Sequence, residues 1–179
     1  METDIFRLIK EGDGESIRRL LFEEPLIINV KKPPHCSSLL HYAVSCLQIE
    51  LVKLLAGRIG DINEMDGLGR TCLHYASWEG SCDIAKILID SGADVNAREG
   101  TSGDGKTPLH RAAENGHADM VDLLLKTGAD PKVTINRRPY KLHEVLEDFP
   151  DTKWIVTPKD CASTRAIQEL FEKYERPPC

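Results

Sequence analysis

The sequence predicts an all-α repeat protein, an elongated solenoid of stacked helix-turn-helix units joined by β-hairpin-like finger loops. Three observations carry this. First, a Leu-His box recurs: Ser38-Leu39-Leu40-His41-Tyr42-Ala43, Thr71-Cys72-Leu73-His74-Tyr75-Ala76 and Thr107-Pro108-Leu109-His110-Arg111-Ala112. The histidines stand 33 and 36 residues apart, and His143 follows after another 33. Second, each box is followed by an apolar stretch with helical spacing, at 51–55, 84–89 and 120–125. Third, each stretch ends in a polar turn: Asp61-Ile62-Asn63, Asp94-Val95-Asn96 or Ala129-Asp130. Self-similarity at a period of this size is the signature of a repeat array.

Each element has a local reason. Residues 1–34 are expected to form an N-terminal capping repeat, which the stretch from Asp4 to Asn29 resembles. Units follow at 35–65, 66–101 and 102–134. In the latter two, the Thr71 and Thr107 hydroxyls can cap the first helix. Pro108 sits at a first helical position, where the missing N–H costs nothing. Gly80 and Gly116 separate the first helix from the second, and Leu47 stands in that slot in the earliest unit. The second helices each bury one face, which a single unit cannot do alone. Residues 135–174 form a modified C-terminal capping repeat with an insertion. A first helix could begin at Tyr140 and stop before Pro150, or the unit could restart at Thr157-Pro158-Lys159-Asp160-Cys161-Ala162. Residues 164–174 read as an amphipathic helix carrying Ile167, Leu170 and Phe171, and 175–179 as a frayed tail. The whole of 1–174 is one domain on this reading.

The run Thr-Pro-Leu-His-x-Ala-Ala-x-x-Gly-His, with Leu-Leu-Leu-x-x-Gly-Ala-Asp after it, resembles the ankyrin repeat. Residues 107–130 match it almost fully, 66–97 well and 36–64 more loosely. The resemblance implies a non-enzymatic module that binds a partner protein through a concave groove and finger loops, as adaptor or inhibitor. It also implies that the box histidines bridge loop and helix rather than catalyse. The stretch from Asn96 to His110 is similar to IκB-type inhibitors of NF-κB transcription factors, which implies an inhibitor of DNA binding as an alternative. The chain has fewer repeats than that group and no Asp-Ser-Gly-x-x-Ser motif. Its short terminal helix is similar to that of myotrophin-type proteins. Asn63 and Asn96, each with a leucine eight residues earlier, resemble sites of asparaginyl hydroxylation, and an Asn in such a turn also holds the turn itself.

Composition bounds the rest. The chain has 179 residues, 41% hydrophobic and 29% charged, with a net charge of −6. That charge argues against a nucleic-acid partner. No apolar run approaches the roughly 20 residues of a membrane helix, and residues 1–15 resemble no targeting peptide. Six cysteines without a Cys-x-x-Cys pair read as reduced thiols of a cytoplasmic or nuclear protein, monomeric by itself. His35, Cys36, His41 and Cys46 match no common zinc spacing, and no metal or cofactor is expected.

One motif pulls the other way. Gly-Thr-Ser-Gly-Asp-Gly-Lys-Thr at 100–107 fits the phosphate-loop pattern at every position. A phosphate loop follows a buried strand, however, and residues 94–99 read as a turn carrying Glu99. Gly105-Lys106-Thr107 also aligns with Gly69-Arg70-Thr71, so the stretch reads as a lengthened finger. A nucleotide-binding protein remains the least favoured alternative.

Function is then expected at positions the scaffold leaves free. These are Leu68, Arg70, Asp104 and Lys106 on the fingers, and Trp78, Glu79, Arg111, Glu114 and Asn115 on the groove face. Trp154 of the insertion joins them. Trp78 stands out, because an exposed indole brings large area and a hydrogen-bond donor to an interface.

Overall fold

The computed structural model describes residues 5–100, 105–136 and 155–175. An N-terminal helix pair, α1 (Ile5–Glu11) and α2 (Gly14–Glu23), leads through a 3-10 turn (Pro25–Asn29) into a short hairpin, β1 (Lys31–Lys32) and β2 (Ser37–Ser38). Three helix pairs follow: α3 (Leu39–Ser45) with α4 (Ile49–Ala56), α5 (Cys72–Glu79) with α6 (Cys82–Asp90), and α7 (Pro108–Glu114) with α8 (Ala118–Lys126). A second hairpin, β3 (Ile135–Asn136) and β4 (Ile155–Val156), precedes the terminal helix α9 (Arg165–Glu175). Both hairpins are antiparallel, pairing Lys31 with Ser38 and Ile135 with Val156.

The helices form two layers. In one, α1, α3, α5 and α7 pack in series; in the other, α4, α6, α8 and α9 do so. One continuous core runs between them, through Ile9, Ile17, Leu40, Leu55, Leu73, Leu88, Leu109, Leu124 and Phe171. The family signature thus appears as an all-α solenoid. Among the described residues, the first and last fingers are paired strands, while the middle two are each bridged by a backbone hydrogen bond. Asp66 N donates to Arg70 O at 2.9 Å and Glu99 N to Lys106 O at 2.9 Å.

The box histidines hold successive units together. Thr71 Oγ1 lies 2.8 Å from His74 Nδ1, and Thr107 Oγ1 2.9 Å from His110 Nδ1. The Thr71 and Thr107 backbone N–H groups also donate to those nitrogens, at 3.2 Å. The Nε2 of His41 lies 3.0 Å from the Arg70 carbonyl, and that of His74 3.0 Å from the Lys106 carbonyl. A carbonyl only accepts, so the ring is the neutral Nε2–H tautomer. His74 and His110 each complete a capping box with the preceding threonine, and His41 and His74 reach the finger of the next unit.

The turn asparagines act similarly. Asn63 Nδ2 donates to Gly92 O at 3.2 Å, while its Oδ1 accepts from Asp94 N at 2.7 Å. Asn96 bonds Gly128 O and Asp130 N at 3.1 and 2.8 Å.

The final unit departs from the pattern. Thr157 takes the capping position, with Asp160 in place of histidine, accepting from Thr157 N at 2.8 Å and Thr157 Oγ1 at 2.7 Å. A turn replaces the first helix, and Ser163 N donates to Ala113 O at 3.1 Å. The expected start at Tyr140, with His143, lies outside the described residues, as do 176–179.

The slot between paired helices requires a left-handed backbone. Gly80 occupies it at φ 72°, and a Cβ there would stand 2.6 Å from the His117 ring. Leu47 occupies the equivalent slot at φ 56°, with its side chain half-exposed. An L-residue in this conformation costs about 1–2 kcal/mol, partly offset in glycine by its freer unfolded chain. Leu47→Gly is therefore expected to raise stability by about 0.5 kcal/mol. Urea unfolding measures this, and a lowered midpoint would show that the leucine's contacts outweigh the backbone relief.

Candidate functional site

The exposed side of the first-helix layer, with the fingers beside it, forms a groove. Two adjoining concavities of about 220 and 110 Å³ lie along it and share Ser45 and Tyr75. The larger is walled by Tyr42, His35 and the Pro33–Pro34 turn. The smaller is walled by Trp78, Glu79 and Arg111.

Trp78 is 46% exposed at the end of α5. Arg111, from the next unit, lays its guanidinium 4.9 Å from the indole centroid. Glu99 fixes that guanidinium as a fork: Arg111 Nε donates to Oε1 and Nη2 to Oε2, both at 2.7 Å. Glu99 is only 4% exposed. Glu114 continues the chain, 3.6 Å from Arg111 Nη1 and 3.0 Å from Lys106 Nζ. A planar cation held by two bonds in a buried setting presents the indole in one orientation.

A second cluster lies one unit earlier. Asp66 accepts from Leu68 N and Arg70 N at 2.9 Å, from Arg70 Nη2 at 3.0 Å and from Tyr75 Oη at 2.6 Å. Burial works to raise the Asp66 carboxyl, but the Tyr75 and Arg70 hydrogen bonds outweigh it and hold it below the ordinary carboxylate range. Burial and the Asp66 acceptor push the Tyr75 phenol up to about 12. Arg70 stacks 4.5 Å from the Tyr75 centroid.

The predicted residues therefore divide. Trp78, Glu79, Leu68 and Asn115 are exposed, and Asn115 Nδ2 donates to Arg111 O at 2.8 Å. Arg70, Lys106, Arg111 and Glu114 are brought to the same groove but engaged in its internal ion pairs. Asp104 and Trp154 lie outside the described residues. Sequence reasoning missed Glu99 and Asp66 as organisers. The Asp66-x-x-x-Arg70 spacing was a usable signal; Glu99 and Arg111 are joined only by folding.

The phosphate-loop match meets a different geometry. The stretch 99–106 is closed by its own backbone bond, and Gly100 N donates to Gly69 O of the neighbouring finger at 3.1 Å. Lys106 is 7% exposed, its ammonium paired to Glu114. The helix that follows begins at Pro108 and has seven residues. The lysine is therefore held by a carboxylate, and residues 101–104 of the match lie outside the described residues. Among the described residues, no three His, Cys, Asp or Glu side chains are grouped to hold a metal, and no helix is long and apolar enough to cross a membrane.

The family model described as "Ankyrin repeats (3 copies)" matches residues 5–99, and "Ankyrin repeat" matches 104–136. The chain belongs to the ankyrin-repeat family. Its ankyrin array is similar to rat "Ankyrin repeat and SAM domain-containing protein 6", 33% identical over 96 residues, which cover 53% of this chain and 11% of that protein. It is similar to mouse "Protein phosphatase 1 regulatory subunit 27", 37% identical over 89 residues, 50% of this chain and 57% of the relative. A shorter match joins it to "NF-kappa-B inhibitor cactus" of Drosophila yakuba, 54% identical over 35 residues, 20% of this chain and 7% of the relative. The ankyrin chain thus spans less than two thirds of each of these proteins. Ankyrin repeats imply a protein–protein interaction module.

Proposed function

We propose that this ankyrin protein is a non-enzymatic adaptor or inhibitor, monomeric by itself, that binds a partner protein in the groove centred on Trp78 and Glu79. It works in the cytoplasm or nucleus. The observation that carries this reading is Trp78: exposed to solvent, yet held in place by the Glu99–Arg111 fork. A preorganised aromatic loses little freedom on binding, and such residues dominate interface energetics. Leu68 and Asn115 widen the contact, while Arg70, Lys106, Arg111 and Glu114 set its shape and charge. Asp104 and Trp154 extend the proposed surface onto the long finger and the insertion.

The test is affinity capture from lysate, with the wild type and a Trp78→Ala, Glu79→Ala variant side by side. Loss of a captured partner by about tenfold or more, with helical content unchanged by circular dichroism, is expected. Equal capture by both would remove the groove from the partner site.

The cactus match favours a second reading, an inhibitor that blocks a transcription factor's access to DNA. Competition against a DNA-bound NF-κB-type factor tests it. Failure to displace DNA at micromolar concentration would end it.

A further inference from the structure

We infer that Lys32 is a clasp: its ammonium, set against Phe6 of α1 and Tyr42 of α3, holds the N-terminal helix pair on the array, and losing that contact opens the pair as a unit while the later helices stay folded. This does not depend on what the groove binds.

The first junction lacks the links that join the later units. Asn63 bridges to Gly92 O and Asp94 N in the next turn, and Asn96 to Gly128 O and Asp130 N. Ile28-Asn29 stands 34 residues before Ile62-Asn63, in the same turn register, so its counterparts would be Ile59 O and Asp61 N. The Asn29 side chain is exposed, however, and makes no hydrogen bond among the described residues. A cavity of about 100 Å³ opens there instead, with Asn29, Arg58, Ile59 and Gly60 in its wall.

The histidine bridge is missing too. His41 reaches the Arg70 carbonyl and His74 the Lys106 carbonyl, each one finger on. No histidine precedes His35 in the chain, so α1 sends none to the first finger. α1 packs on α3, whereas α2 has little direct contact with α4. Phe22 and Leu26 of this unit lie exposed and add no burial to the junction.

Lys32 stands where a link is needed. Its Nζ lies 3.4 Å from the Tyr42 ring centroid and 5.5 Å from that of Phe6. The two rings meet edge to face, with centroids 5.4 Å apart at 84°. Both lysine distances fall within the roughly 6 Å over which a ring attracts a cation. Neighbouring Lys31 pairs with Glu64, but Lys32 makes no ion pair among the described residues. Its charge therefore acts through the rings and ties α1, β1 and α3 at one point. The other hold on the pair is apolar burial, by Ile5, Leu8, Ile9, Ile17 and Leu21. Units of a repeat array open separately where their nearest-neighbour interface is weakest. Because Tyr42 also walls the larger concavity, releasing Lys32 bares its ring at that end of the groove.

Amide hydrogen exchange on the whole chain, read by mass spectrometry, tests this. In the wild type, α1 and α2 should exchange together, about tenfold or more faster than α5 and α6 yet still protected. Lys32→Met keeps an unbranched apolar side chain and removes the charge. It should speed α1 and α2 by about fivefold or more and leave α5 to α8 unchanged. Lys32→Arg keeps a cation for the rings and should stay within about twofold of the wild type. Lys31→Met makes the same change in net charge one residue away and should leave α1 and α2 alone. No acceleration in Lys32→Met, acceleration of all helices together, or an equal effect from Lys31→Met would each overturn the inference. So would wild-type α1 and α2 that exchange as slowly as α5, or that show no protection at all. No partner enters this measurement, so its failure leaves the groove reading where it stands.

Discussion

Replacing Glu99 with alanine is expected to lower the unfolding free energy by about 3 kcal/mol, the usual effect of removing one partner from a buried ion pair. Arg111 would keep only Glu114, at 3.6 Å and already shared with Lys106. The thermal midpoint should drop by roughly 6–12 °C for a chain of this size. Because each unit contacts only its neighbours, amide exchange should accelerate most in α7 and α8 and least in α1 and α2. Glu99→Gln keeps an acceptor and should lose less. Removing both charges, in Glu99→Ala with Arg111→Met, should recover part of the loss, which a double-mutant cycle reads directly. A loss below about 0.5 kcal/mol in Glu99→Ala would show that the fork is a surface pair of little consequence. The same substitution frees the guanidinium beneath Trp78, so partner affinity should fall with stability.

Acid should unfold this protein well before its carboxylates are all protonated. Burial pushes His41, His74 and His110 below the ordinary imidazole value, His110 to about 4. The Arg70 and Lys106 backbones oppose this at His41 and His74, and the Val156 backbone does so at His110. Among nearby charges, Glu114 raises His110 while Lys106 and Arg98 lower it. With folded values below the unfolded value of about 6.5, the unfolded chain binds more protons between them. Stability is therefore full above about pH 6.5 and falls as the pH drops toward 4, by up to about 1.4 kcal/mol per pH unit for each histidine. At His74 and His110 the tautomer acts in the same direction as burial: Nδ1 accepts from a threonine N–H and cannot do so once protonated. Urea midpoints at pH 7.5, 6 and 5 measure this, and His110→Gln should flatten the slope by roughly a third, one of three groups being removed. A midpoint unchanged between pH 7.5 and 5 would show that the imidazoles are protonated in the folded state.

Much of the fold was legible because a repeat writes the same local solution several times. The Thr-x-x-His spacing foretold capping, and Gly80 and Gly116 marked the helix breaks, all through bonds within a few residues. The final unit was harder. Its capping box uses Asp160 where the others use histidine, so the sequence offered two starts, one at Tyr140 with His143 and one at Thr157. Residues 137–154 separate the paired strands β3 and β4, and no local rule announces which two short strands will meet across so long a gap.

The candidate site was half legible. Trp78 and Glu79 follow from the repeat register, which places them on the outward face of α5. The sequence by itself determined the period, the helix pairs, the caps and the apolar faces, because propensity, capping and periodicity act over one to four residues. Only the tertiary structure decided which charges are free. Glu99 meets Arg111 and Lys106 meets Glu114 because stacking brings a finger over a helix, and burial then makes pairing obligatory. That stacking turned a phosphate-loop lysine into one arm of an ion pair and a solvent-facing tryptophan into a fixed platform.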